Sequence, residues 1–259
     1  WKKSWEVKIG VGYSAVAVEG DYGYTMGHDA KETESVYCID TKTGKTVWQH
    51  DYKGKLVNKL HFGGPNATPT VEGAFVYTVG KDGKAFCLDK KDGKVIWKKD
   101  LLATMGIPLP NFGIAGSPLI YKDWVIYTSG RALALNKKDG KVVWVSKVSE
   151  PGESAYHPGH ATPVVFTHSG KDYLAYFIGT GLEVLNMNDG SFVARYNVNA
   201  DYNMTATSPS ILNDGKNILI SWNKYSEMLN FDGKALSKKW KTSKFIHTMQ
   251  NTVLVDGIL

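Results

Sequence analysis

The residues of this chain best suited to ligand or metal chemistry are its seven histidines and two cysteines, and their placement is uneven. His61 comes shortly before Ala67-Thr68-Pro69, His157 and His160 come just before Ala161-Thr162-Pro163, and His247 precedes Asn251. His28 closes an alternating run. Neutral imidazoles that converge bind a transition metal or a polar ligand well. Asn66, Asn111, Tyr202, Asn203, Gln250 and Asn251 fall in the same kind of segment, and they supply amide and hydroxyl partners for such a ligand. The plainer reading is that these are polar loop residues that satisfy backbone groups around a wet channel, and His157-Pro158-Gly159-His160 carries no metal-specific spacing of its own. Cys38 and Cys87 stand two residues before Asp40 and Asp89, where other parts of the chain place Ala134, Val184 and Met228. That substitution pattern describes a small apolar slot and two buried free thiols. Asn66-Ala67-Thr68 and Asn203-Met204-Thr205 match a glycosylation acceptor but abut strands. Gly63-Gly64-Pro65 lacks the helix a phosphate loop needs. No Ser/His/Asp set can be assembled from spacing alone.

What positions these residues is a repeat. Ala85-Phe86-Cys87-Leu88-Asp89 leads through a polar turn with Gly93 to Trp97, the pattern of a β-hairpin. Val36 to Asp40 leads through Gly44 to Trp48 in the same way, and Ala132 to Asn136 leads through Gly140 to Trp144. The three tryptophans lie 49 and 47 residues apart, each four residues after its glycine. Two further strands precede each hairpin, so the unit has four short strands, the signature of a β-propeller blade. The alternation has period two throughout, which excludes a helical solenoid. The fold expected is all-β: one propeller domain over 1–259, with blades at about 11–53, 62–103, 112–149, 160–198 and 205–246 and a partial one at 250–259. Trp5 to Ile9 matches the last strand of a unit, so the expectation is part of a ring of seven or eight blades. Asp or Asn at 40, 89, 136, 186 and 230 should accept from turn amides. Ala194 replaces the fourth tryptophan, so a different filler is expected there, and Trp240 arrives three residues late. Equivalent cysteines one blade apart exceed the ~7 Å Cα limit for a disulfide. In a propeller the blade-to-blade connections and the loops between second and third strands open on one face, which puts His28, His61, His157, His160 and His247 at one funnel mouth.

Composition narrows the function. With 42% hydrophobic and 22% charged residues this is an ordinary globular chain. The formal charge of +6 comes largely from lysines in the repeated turns, where solvated charge is sufficient explanation, and no nucleic-acid module is present. No apolar run approaches the ~20 residues of a membrane span.

Small residue-Leu-Asp-x-x-x-Gly-Lys-x-x-Trp, repeated in phase, resembles the tryptophan-docking repeat of the pyrroloquinoline quinone (PQQ)-like β-propellers. That family includes quinoprotein alcohol dehydrogenases and the non-catalytic lipoprotein of the outer-membrane barrel-assembly machine. The resemblance implies a periplasmic or secreted protein that binds a protein partner or small polar ligand at the funnel face, without a cofactor. Two alternatives stay open: a quinoprotein oxidoreductase holding PQQ on Ca²⁺ through a Glu, an Asn and an Asp, and a propeller with a histidine-lined transition-metal site. The adjacent cysteines that form a vicinal disulfide over the cofactor in the dehydrogenases have no match here.

Overall fold

A computed structural model describes residues 2–59, 61–147 and 159–253, with Asn203 described by its backbone alone. Among the described residues twenty strands form five four-stranded antiparallel sheets, each built from four consecutive strands. The first holds β1 (Ala17–Glu19), β2 (Tyr22–His28), β3 (Thr33–Asp40) and β4 (Thr46–Lys53). The second holds β5 (Thr70–Glu72), β6 (Phe75–Val79), β7 (Lys84–Asp89) and β8 (Val95–Asp100). The third holds β9 (Leu119–Tyr121), β10 (Trp124–Thr128), β11 (Ala132–Asn136) and β12 (Val142–Val145). The fourth holds β13 (Val164–His168), β14 (Lys171–Ile178), β15 (Gly181–Asn186) and β16 (Phe192–Asn197). The fifth holds β17 (Ser210–Leu212), β18 (Asn217–Ser221), β19 (Ser226–Phe231) and β20 (Leu236–Thr242). One helix, α1 (Leu101–Met105), follows β8, and no period in the sequence announces it. Asp100 caps it by accepting from the Ala103 N–H at 2.9 Å, and Gly106 closes it at φ 65.

The chain divides into two compact units. One runs to Tyr127 and includes Leu135–Lys141, and the other holds Thr128–Ala134 and the described residues from Val142 onward. The first two sheets belong to the first unit, and the last two to the second.

In the first unit the hairpin turns explain the repeat. Asp40 Oδ1 accepts from the N–H groups of Lys42 and Thr43 at 2.9 and 2.8 Å, while the Gly44 N–H bonds the Asp40 carbonyl. Those backbone donors, Thr43 first, hold the Asp40 carboxyl below the usual carboxylate range. The tryptophan at the end of each hairpin then docks on the next turn. Trp48 donates its indole N–H to the Lys90 carbonyl at 2.9 Å, and Trp97 to that of Lys137 at 3.0 Å. Trp5 does the same to Thr41 at 2.8 Å, although no strand includes it. The ring lies against the glycine: a Cβ on Gly93 would stand 2.7 Å from Trp48, and φ there is +72°. The glycine therefore meets two demands at once, a left-handed backbone and an open face. Trp48 and Trp97 are buried, with Tyr24, Met26, Val36, Val76 and Leu88 around Trp48. Cys38 and Cys87 are buried free thiols, each opposite a buried tyrosine, Tyr24 and Tyr77. Burial pushes the Cys87 thiol up to about 12.

The second unit repeats this with changes. Trp144, also buried, bonds the Met187 carbonyl at 3.0 Å and packs on Gly190. Where Ala194 replaces tryptophan, an aromatic group fills in: His168 and Phe166 pack edge-on against Phe231 at 5.2 and 5.6 Å, and Gly233 has His168 as its nearest neighbour. The fifth turn corrects one expectation. Asp232, not Asn230, accepts the turn amides of Lys234 and Ala235, because the hairpin is longer and Asn230 is paired with Ser237 inside the ladder. The extra residues move the turn and not the tryptophan. Trp240 faces Met228 as Trp48 faces Cys38, with the same bulge beside it.

Candidate functional site

In the first unit the loops between second and third strands and the connections between sheets gather at one end. The β2–β3 end meets the connection after β4 where His28 Nε2 donates to the Gly54 carbonyl at 3.1 Å. The β6–β7 turn meets the same connection twice. Asp82 accepts from the Lys55 N–H at 3.1 Å, and Lys81 Nζ donates to Asn66 Oδ1 at 2.8 Å. The segment after α1 joins through the Ile114 N–H on the Lys81 carbonyl at 2.9 Å and through Lys59 Nζ on Asn111 Oδ1 at 3.2 Å.

At the centre of this end are ionisable groups that sequence reading missed. Lys81 is fully buried, and Glu34, on β3, is 1% exposed. Tyr52 on β4 donates its hydroxyl to Glu34 Oε1, while Oε2 is buried without a hydrogen-bond partner. Gly80 lies against the carboxylate so closely that a Cβ there would stand 2.2 Å from Oε1. Burial raises the Glu34 carboxyl to about 7, against the opposing bond from Tyr52, and burial lowers the Lys81 ammonium to about 8. Beyond the Asn66 bond, Lys81 sits 5.9 Å from the centre of the Tyr13 ring. Strongly perturbed groups of opposite type in one place are a mark of a functional region.

The connection at 61–66 is tied down beside this cluster by several contacts. His61 Nδ1 accepts from the Gly63 N–H at 2.9 Å, and the Pro65 carbonyl accepts from Tyr13 at 2.7 Å. Gly63 and Gly64 have φ of +79° and +73°, and any Cβ would strike Leu56 or the Val11 carbonyl. The His61 ring is flanked by Tyr13 at 5.7 Å and Phe112 at 6.0 Å, and burial lowers its pKa. Phe62, between these anchors, projects outward with 81% of its surface exposed.

The residues singled out from sequence fall as follows. His28 is buried and uses both ring nitrogens locally, since Nδ1 accepts from the Ala30 N–H at 3.0 Å. His157 lies outside the described residues. In the second unit His160 donates its backbone N–H to the Thr205 carbonyl at 2.7 Å, and the His247 N–H bonds Ser221 Oγ at 2.8 Å with its ring 6.2 Å from Phe245. Asn66 and Asn111 each accept from a lysine, and Asn251 accepts from the Ser208 N–H at 2.8 Å. Gln250 is exposed, and Tyr202 is 85% exposed at φ 58 in a short 3-10 turn that Asn203 ends. Among the described residues no three of His, Cys, Asp and Glu gather as a metal-binding set.

The acidic and amide residues gathered at this end of the first unit do not fit PQQ held on Ca²⁺. Glu34, Asn66 and Asp82 are of the right types, but Tyr52, Lys81, Lys55 and Lys84 bond every one of their oxygens except Glu34 Oε2, and an ammonium in their midst opposes a divalent cation. Cys38 and Cys87 sit in different sheets, so they cannot make a vicinal disulfide.

Comparison with known proteins identifies the family and the fold. The model of the family described as outer membrane protein assembly factor BamB matches residues 1–151 and, overlapping, 32–259. Among solved structures, BamB from Moraxella catarrhalis superposes with a TM-score of 0.65 at 17% identity, covering 91% of this chain and 65% of that one. A europium-containing methanol dehydrogenase gives 0.67 at 17% identity, with 90% and 52% covered. The quinohemoprotein alcohol dehydrogenase of Comamonas testosteroni gives 0.63 at 16%, with 91% and 43% covered. The chain thus spans 65% of that BamB and about half or less of the two dehydrogenases. No curated protein matches in sequence. The five sheets are blades of a β-propeller.

Proposed function

This chain belongs to the outer membrane protein assembly factor BamB family, and from that premise we propose that it is a non-catalytic scaffold of the bacterial cell envelope that docks a protein partner. Its place would be the periplasmic side of the outer membrane, and its partner a component of outer-membrane protein assembly. No helix among the described residues is long and apolar enough to cross a membrane.

The observation that carries this reading is the loop at 61–66, which presents Phe62 on a backbone already fixed by His61, Tyr13 and two glycines. A rigid loop with one exposed aromatic loses little conformational freedom on binding, and buried aromatic anchors dominate protein interfaces. The ionisable groups beneath it are turned inward, and they support the loop without facing a substrate. Lys81 holds Asn66 from below. Tyr202, in the second unit, is a further exposed aromatic of the same kind.

The test is co-purification. A tagged chain carrying Phe62→Ala should recover much less of its envelope partner from detergent extracts than the parent, with unchanged thermal unfolding. Equal recovery would reject the loop as the docking element.

A further inference from the structure

A second surface of the first unit shares no residue with the loop at 61–66. β4 and β8 are the outermost strands of the first and second sheets, and a groove of about 1010 Å³ runs between them. Its floor is aromatic: His50 packs edge-on to Phe86 at 5.0 Å, and Tyr52 lies 4.5 Å from the same ring. Burial lowers the His50 pKa, so the floor is uncharged at neutral pH. Val95 and Ile96 on the β8 side are 43% and 44% exposed and extend the apolar surface beside this floor.

The banks are basic. Lys53, Lys84, Lys98 and Lys99 line the groove against Asp51 and Asp100. Both aspartates are already engaged, Asp51 by Ser35 and Gln49 and Asp100 as the cap of α1. Lys84 is tied to Asp82 and Lys53 lies 3.3 Å from Glu32, whereas Lys98 and Lys99 form no ion pair among the described residues. An apolar floor between cationic walls selects an acidic partner with apolar side chains. The long axis follows strands of eight and six residues, so an extended segment of about that length fits at ~3.3 Å per residue.

We propose that the groove between β4 and β8 is a docking site for an extended acidic segment of a partner protein, glutamate or aspartate alternating with apolar residues. This surface is independent of the Phe62 loop. Apolar side chains would cover Phe86 and Ile96, and the carboxylates would meet Lys98 and Lys99. Charge complementarity of this type sets partner choice and gives binding that weakens with salt.

The test uses a fluorescein-labelled octapeptide alternating glutamate with valine and phenylalanine, read by anisotropy, with its lysine counterpart as control. The acidic peptide should bind and the basic one should not. Lys98→Glu with Lys99→Glu, both at positions outside the core, should weaken binding roughly tenfold, as should a rise to about 0.5 M salt. Hydrogen exchange should slow in β4 and β8 when the acidic peptide is added. Phe62→Ala should leave this affinity unchanged, which separates the groove from the docking loop. Equal binding of both peptides, no effect of the double charge reversal, or protection elsewhere would overturn the proposal. Occupation of the groove by a second copy of the chain, seen as dimerisation in sedimentation that the peptide fails to reverse, would do so too.

Discussion

The substitution Glu34→Gln should stabilise this protein, and only where the carboxylate would be ionised. The glutamine side chain keeps the oxygen that accepts from Tyr52 and puts an amide where Oε2 is now buried without a partner. Burial raises the Glu34 carboxyl from 4.5 to about 7 in the folded protein. An acid whose folded pKa is raised binds its proton more tightly when folded, so stability falls as pH rises from 4.5 through 7 and then levels off. At ~1.4 kcal/mol per pKa unit the ionised group costs about 3 kcal/mol above pH 7. Two effects reduce the gain in the variant. The amide brings its own desolvation, of order 1 kcal/mol, and Lys81 loses the negative charge that now offsets its burial. The expected outcome is a gain of about 1–3 kcal/mol at pH 8 and little or none at pH 5. Urea denaturation of both proteins at the two pH values measures it. A difference that is the same at pH 5 and 8, or a larger destabilisation at pH 8, would refute the reasoning that Glu34 is a buried, desolvated acid.

The other predictions concern the repeat and its thiols. Trp97→Ala removes a buried indole and its bond to the Lys137 carbonyl and should cost about 3–5 kcal/mol, whereas Trp240→Ala, at a 36% exposed position, should cost less than half as much in the same urea titration. Gly93→Ala meets both a positive φ and the Trp48 ring, so it should destabilise by about 2 kcal/mol or more; Gly20→Ala, at φ +59 with nothing within 4 Å, should cost only about 1 kcal/mol. Cys38 and Cys87 should react with a disulfide reagent only after urea is added, because burial raises both thiols; rapid reaction of either in the native protein would contradict their placement.

Legibility in the sequence followed the range of the interactions. The Gly44-to-Trp48 spacing could be read because the turn is local and the docking geometry recurs, so one pattern announces three equivalent contacts. The fifth turn was misplaced because Asn230 and Asp232 are equally good turn residues; only the longer pairing of β19 with β20 puts the second one at the tip. The histidines mark the loops, but their types do not show that His28 and His61 accept from amides of their own loops. Glu34 and Lys81 were invisible for a related reason. Lys81-Asp82-Gly83 reads as a solvated turn, and its burial arises only when that turn meets β3 and the connection at 61–66, distant in sequence. Phe62 differs from the buried aromatics only by the direction its loop gives it.

The most direct test of the scaffold reading is site-specific photo-crosslinking in intact cells. A photoreactive residue placed at position 62 should capture one discrete envelope partner, belonging to outer-membrane protein assembly. The same residue at position 20 or 73, in exposed turns between first and second strands, should capture none. Capture of that partner from positions 20 and 73, with none from 62, would contradict the assignment of the docking face.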